Sequence, residues 1–363
     1  MQTEILRIIE GGLVNDKRKI LAYSNRLADR LEKEGNLSLS RCIRKKLTDN
    51  VPQSQAIADA VRTIPVDPDS HLKIVEIFPS DDNRHKVVLT KEVENQIKDF
   101  IEIINHRDDL ELAGVEIKKT LLLYGDPGCG KTSIAHFISE QTGLPLVLAR
   151  LDGIVSSLLG STAKNIRKIF DYASSIPCIL FLDEFDAIAK ARDDQHELGE
   201  LKRVINSLLQ NIDAMSSNHV LIAATNHVKL LDQAIWRRFM QTVKIGYPGL
   251  SELEELIKVF SEPFSSELIS NDGQCSLFAK VAVGLSPADL KTVFDRAKVK
   301  CVLNKENIIR MEHLLNGIYE FKEKNKSEKQ YVRFLNDNGL SQLRINKATG
   351  ISLRKIKTYL ISQ

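Results

Sequence analysis

Along the middle of the chain, short and nearly unbroken apolar runs alternate with stretches of helical periodicity. The runs are TLLLY (120–124), LPLVLAR (144–150), CILFLD (178–183), HVLIAAT (219–225) and TVKIGY (242–247), each separated from the next by a helix-length segment. A strand covered on both faces loses the polar alternation of a half-exposed one, and a strand running parallel to its predecessor needs a helix to bring the chain back. The alternation predicts an α/β fold, a parallel sheet with helices on both faces. After Pro248 the strand pattern stops, and helical spacing continues to about Lys322, which predicts a separate helical subdomain.

The ends differ from this middle. From Glu4 to about Leu47 apolar residues fall at helical spacing among many charges, and the tract stops at Asn50-Val51-Pro52, so two or three small helices are expected. The stretch from TIPVDPDSHLK to FPSDDNRHK is rich in proline and aspartate and reads as a linker or weakly structured bridge. The expected division is a helical N-terminal region with linker at 1–85, a large subdomain at 86–248, a helical subdomain at 249–325 and a basic tail at 326–363.

Composition narrows the classes. With 43% hydrophobic and 27% charged residues the chain is ordinary for a soluble globular protein, and a net charge of +3 excludes a polycation that coats nucleic acid. Cys42, Cys129, Cys178, Cys275 and Cys301 are odd in number and lack CxxC spacing, which argues against a disulfide framework or a zinc site. The N-terminus lacks a basic start followed by a long apolar run, and no run approaches a membrane span. A soluble chain of the reducing cytoplasm, with no membrane contact, is expected.

Chemistry concentrates at the ends of the predicted strands. TLLLY runs into GDPGCGKT and then SIAHFISEQTG, a strand, a glycine-rich turn and a helix. This context makes Gly125, Asp126, Pro127, Gly128, Cys129, Gly130, Lys131, Thr132 and Ser133 a phosphate loop, whose N–H groups and following helix N-terminus would hold phosphates. Lys131 would reach the outer phosphates of ATP and Thr132 would ligate Mg2+. CILFLDEFDA ends a buried strand in adjacent carboxylates. Asp183 would hold the Mg2+ through water, and Glu184 would polarise the attacking water. HVLIAATN ends in Asn226, a polar group suited to holding that water.

With these elements the chain resembles the AAA family of ATPases, in the narrow sense that includes katanin-like, spastin-like and Vps4-like enzymes, over about residues 87–302. ATNHVKLLDQAIWRRFMQTVKIGYP is similar to the second region of homology of that family, in a bacterial-type single-ring form. The resemblance implies a P-loop NTPase sheet followed by an α-helical lid. It also implies that Arg237 and Arg238 reach across a subunit boundary to the γ-phosphate of a neighbour, and that Asp186 and Arg192 lie near that boundary. GLSPADLKTVFDRA resembles the start of a lid helix that brings Ala288 against adenine, with Pro287 in place of a glycine. No lid arginine is assigned as an extra sensor. SSLLGSTAKNIRKIF aligns with a central-pore loop, with Leu158, Leu159 and Gly160 where an aromatic, an apolar residue and glycine are usual.

From Lys322 onward ten Lys or Arg stand against three Asp or Glu, so the tail carries +7 and leaves the remainder near −4. LRINKATGISLRKIKTYL resembles a helix-turn-helix in its Ile345, Gly350, Ile351 and Ile356, with Asn346 where alanine is usual. Its second helix would start near Ser352 and present Arg354, Lys355 and Lys357. The leading expectation is a homo-oligomer, a hexamer, whose ATP hydrolysis remodels or unfolds a protein substrate or serves a partner enzyme such as a protease. The alternative is a regulatory ATPase that contacts duplex DNA through the tail.

Overall fold

The computed structural model describes residues 17–33, 39–40, 64–67, 73–80, 86–152, 159–187, 198–216, 219–322 and 327–361. The chain divides into two compact units, Met1–Ile64 and Pro65–Gln363. In the first, helix α1 (Lys17–Lys33) buries Ser24, Ala28 and Leu31, spaced for one helix face, and the Ala28 carbonyl accepts from Ser40 Oγ at 2.9 Å. The other helices expected up to Leu47 lie outside the described residues.

The second unit holds a six-stranded sheet. In chain order its elements are β1 (Glu76–Phe78), α2 (Lys91–Asn105), α3 (Arg107–Leu112), β2 (Lys119–Tyr124), α4 (Lys131–Thr142), β3 (Leu146–Arg150), α5 (Leu159–Ser175), β4 (Ile179–Asp183), α6 (Leu198–Ala214), β5 (Val220–Thr225), α7 (Gln233–Trp236) and β6 (Gln241–Lys244). The strand order is β1-β3-β4-β5-β2-β6, with β1 antiparallel to β3 and all other neighbours parallel. The five apolar runs thus form β2 to β6. Strand β1 lies in the stretch expected as a linker; three residues at a sheet edge are too few to carry a period.

Helix α2 begins at an N-cap, Thr90, whose side chain accepts from the Val93 N–H, and buries Ile97, Phe100 and Ile104 at helical spacing. These residues join Leu121 and Leu123 of β2, Ile134 and Ile138 of α4, and Phe181 of β4 in one core. Because β5 lies between β2 and β4, the turns that leave these three strands open side by side, where ligands bind in open parallel sheets.

Past Pro248 the chain forms α8 (Leu250–Ser261), β7 (Ser265–Ser266), α9 (Asp272–Ala282), α10 (Pro287–Leu303), β8 (Ile308–Ile309) and α11 (Met311–Lys322). A two-residue parallel ladder, β7 with β8, interrupts the all-helical pattern expected here. The tail adds α12 (Glu328–Asp337), α13 (Gln342–Thr349) and α14 (Leu353–Ile361). Val332, Leu335, Ile345 and Ile356 of the tail belong to the same buried core as Leu256, Phe278, Phe294 and Leu314 of the preceding helices. Gly350 closes α13 at φ 73°, a conformation that costs a residue without Cβ little, and its N–H bonds the Asn346 carbonyl. Asn346 Nδ2 donates to the Ile351 carbonyl at 2.7 Å, which ties down the turn. The amide therefore does work there that an alanine could not.

Arg344 locks this tail onto the lid: its guanidinium donates to Glu267 at 2.6 Å and to Glu312 through two nitrogens. Removing it leaves two half-buried carboxylates without a cation. Arg344→Ala should lower stability by about 1–3 kcal/mol, and Arg344→Lys should recover only part, since an ammonium does not span two carboxylates as a planar fork does. Urea unfolding midpoints measure this; equal midpoints would remove the clamp from the account.

Candidate active site

At the end of β2 the chain passes through Gly125 at φ 150°, so close to β6 that an added Cβ would stand 1.9 Å from the Ile245 carbonyl oxygen. Only glycine fits there. Gly128, at φ 78°, packs against the start of α10: a Cβ would meet Ser286 Oγ at 2.6 Å and the Ala288 methyl carbon at 3.1 Å. Helix α10 is set by a capping box in which Ser286 and Asp289 exchange hydrogen bonds, with Pro287 as its first residue. The Ala288 N–H then donates to the Gly128 carbonyl at 3.2 Å. The substitution of proline for glycine before Ala288 fits because a first helical position needs no N–H donor.

The loop, the carboxylates and the lid enclose a cleft of about 680 Å³, lined by Gly128 to Ser133, Asp183, Glu184, Asn226 and Ala288 among others. Lys131 reaches back along the loop, donating to the Gly125 and Asp126 carbonyls at 2.8 and 2.9 Å. Burial pulls its pKa below the ordinary lysine value, while Asp183 and Asp126 act in the opposite sense. Burial likewise raises the Cys129 thiol. Thr132 Oγ1 donates to Asp183 Oδ2 at 3.1 Å, and Asp183 Oδ1 accepts from the Glu184 N–H at 2.9 Å. A hydroxyl and a carboxylate brought together in this way form a hard-oxygen set suited to Mg2+.

Glu184 adopts φ 52°, rare for a side-chain-bearing residue. Burial first, then a hydrogen bond and repulsion from Asp152 and the charges of Asp183 and Asp186, raise its pKa. Asp186, expected near a subunit boundary, is 2% exposed within its own chain and accepts from Thr225 Oγ1 at 2.9 Å and from the Asn226 N–H at 3.2 Å. Asp152 escaped notice as a member of this site because it belongs to no recognisable spacing, whereas Asp186 was singled out in the sequence only as a residue near a subunit boundary. Arg192 and Leu158 lie outside the described residues, and Leu159 and Gly160 are described only as the start of α5.

The two arginines after α7 have different surroundings. Arg238 forms a bidentate pair with Asp213 at 2.8–3.0 Å and donates to the Ala234 carbonyl. The main chain around it is pinned to β2, since Thr120 Oγ1 donates to the Arg238 carbonyl and accepts from the Met240 N–H, both at 2.9 Å. Phe239 packs edge-on against Phe185. Arg237 is exposed, and its side chain forms no hydrogen bond or ion pair among the described residues. Neither arginine lines the cleft.

Residues 121–247 match the model of the ATPase family associated with various cellular activities, AAA. The chain is 37% identical over 238 residues to an uncharacterized AAA family ATPase of Sinorhizobium fredii, covering 66% of this chain and 72% of that protein. It is 26% identical over 293 residues to the proteasome-activating nucleotidase of Sulfurisphaera tokodaii, 78% of this chain and 74% of that protein. The ATP-dependent zinc metalloprotease FtsH of Metamycoplasma arthritidis is 30% identical over 235 residues, 63% of this chain but only 31% of that protein.

Gly125→Ala should abolish binding of a fluorescent ATP analogue, whereas Gly246→Ala, with open space at its Cβ, should retain it; normal binding by both would overturn the close-approach argument. With Glu184 as the proton acceptor expected from the sequence, its raised pKa should move the acid limb of kcat/KM, which reports the free enzyme, to higher pH than an ordinary carboxylate gives. Asp152→Ala removes two of the raising influences and should shift that limb to lower pH.

Proposed function

This chain belongs to the AAA family of ATPases, and from that premise we propose that it works as one subunit of a hexameric ring that couples ATP hydrolysis to remodelling or unfolding of a protein partner. The observation that carries the oligomeric part is Arg237. Phosphoryl transfer spreads charge over the γ-phosphate oxygens and gains from a cation placed there. The cleft contains Lys131 on its loop side, and Arg237 stands outside it, exposed and without a side-chain partner among the described residues. Such a cation is available to a neighbour's cleft. Arg238 is held by Asp213 and Ala234, so its part is to set the direction of the turn that presents Arg237.

Within one subunit the geometry supports the following roles. The loop N–H groups and the N-terminus of α4 receive the phosphates, and Lys131 exchanges its two carbonyl partners for phosphate oxygens. Thr132 and Asp183, already joined by a hydrogen bond, would hold Mg2+, which would supply charge neutralisation at the phosphates. Glu184 accepts the proton of the attacking water, which Asn226 orients from the end of β5. Gly128 and Ala288 join the loop to the lid, so occupancy of the cleft is transmitted to the helical subdomain.

The names of the FtsH and proteasome-activating relatives connect nucleotide use with proteolysis, which supports a protein as the partner here. The first compact unit, Met1–Ile64, is suited to recruiting it. The alternative, duplex DNA held by the tail, rests on fewer groups than the sequence offers: Arg344 is engaged by Glu267 and Glu312, and Lys355 pairs with Glu328 at 2.7 Å. Lys347, Arg354 and Lys357 remain.

Lys131→Ala should lose nucleotide binding, and Glu184→Gln should bind ATP without turnover. Arg237→Ala should reduce kcat about 10³-fold or more, and mixing it with inactive Glu184→Gln subunits should restore part of the rate, because each kind supplies what the other lacks. Absence of rescue at every mixing ratio would exclude a finger acting in trans. Arg238→Ala should in addition lower thermal stability, by about 1 kcal/mol for a partly exposed pair.

A further inference from the structure

Asp186 occupies a position that the catalytic assignment does not use. It follows Asp183 by three residues, is 2% exposed, and points one carboxylate oxygen at the corner where β5 ends. That oxygen accepts from the Thr225 hydroxyl and from the N–H of Asn226. Thr225, itself 1% exposed, uses the same hydroxyl oxygen to accept from the His227 N–H at 3.1 Å. One residue earlier, the Phe185 N–H donates to the Ala224 carbonyl at 2.8 Å. The register of β4 with β5 pairs Leu182 with Ala223. The bonds from Phe185 and Asp186 thus continue the contact of β4 with β5 beyond the sheet, up to Asn226 and His227.

A buried carboxylate is costly unless donors satisfy it, and an apolar residue would fill the same space without that cost. Here the carboxylate fixes three successive residues whose torsions decide where the Asn226 amide points. Groups that orient a reacting water need placement within a fraction of an ångström, held by partners that are themselves immobile. A strand end does not provide this alone, because its last residues lack ladder partners. We infer that Asp186 is a positioning residue for hydrolysis: it anchors the Thr225–His227 corner so that Asn226 faces the attacking water. This rests on the role given to Asn226 above and extends it to a residue that touches neither nucleotide nor water.

The test uses the full chain and steady-state ATPase rates of Asp186→Asn, Asn226→Ala and the double variant. Asp186→Asn should lower kcat on the order of 10- to 100-fold, the scale of a small misplacement at a reacting group, with KM for ATP changed far less. In the Asn226→Ala background the same substitution should have almost no further effect, because the group it positions is gone. If the two losses multiply instead, Asp186 acts elsewhere and the inference is overturned. A slow Asn226→Ala beside a normal Asp186→Asn overturns the inference alone, whereas a normal Asn226→Ala overturns the water-orienting role and the inference with it. Should Asp186→Asn fail to fold, Thr225 provides the second arm. Thr225→Ser keeps the hydroxyl and should retain kcat, Thr225→Val should lose it with unchanged nucleotide affinity, and equal rates for the two overturn the proposal.

Discussion

The approach of Gly125 to the Ile245 carbonyl is the constraint from which the site is built. At that point the phosphate loop leaves β2 directly against the backbone that leaves β6, and the Ile245 N–H bonds the Tyr124 carbonyl at 2.7 Å. No side chain can separate the two, so the direction of the loop is fixed by the sheet. Three residues later Gly128 meets the start of α10, where an added Cβ would stand 2.6 Å from Ser286 Oγ and 3.1 Å from the Ala288 methyl carbon. The loop is therefore held between the backbone leaving β6 and the capped start of α10, whose Ala288 N–H bonds the Gly128 carbonyl. A rigid phosphate cradle follows from that squeeze, because groups held by packed backbone need no rearrangement when charge develops.

The end of β4 presents the opposite problem. Asp183, Glu184 and Asp186 fall within four residues and repel one another. The structure separates them by environment. Asp183 receives the Thr132 hydroxyl and a backbone N–H, Asp186 is turned inward onto Thr225 and Asn226, and Glu184 is left outward at a left-handed φ. The strained residue is thus the one whose proton affinity is raised, the pattern expected where a carboxylate must accept a proton.

How much of this was legible in the sequence depends on the range of the interaction concerned. Strands β2 to β6 were readable because burial on both faces writes an apolar run, and the loop and DEFD segment because their chemistry needs fixed spacing. Strand β1 was not, since three edge residues carry no period. Arg237 and Arg238 are identical as letters; Asp213, brought from the end of α6, and the Ala234 carbonyl separate the anchored one from the exposed one. Asp186 read as an interface residue by resemblance, whereas its buried place depends on Thr225, supplied from a different strand. The tail read as a separate basic module. Its apolar residues look like those of any short helix until Ile345 and Ile356 are seen within the core of the lid.

That shared core changes what the lid is mechanically. Close-packed interiors shift between discrete arrangements and do not deform smoothly, so α8 to α14 should move as one body wherever they move. The contact of that body with the glycine-rich loop is local: the Ala288 N–H on the Gly128 carbonyl, and the capped start of α10 against the loop. From that contact the packing is continuous to the tail through α10, whose buried Leu290, Val293, Phe294 and Ala297 lie in the same core as Ile356. The Arg344 clamp keeps the tail from separating at the far side of that lever.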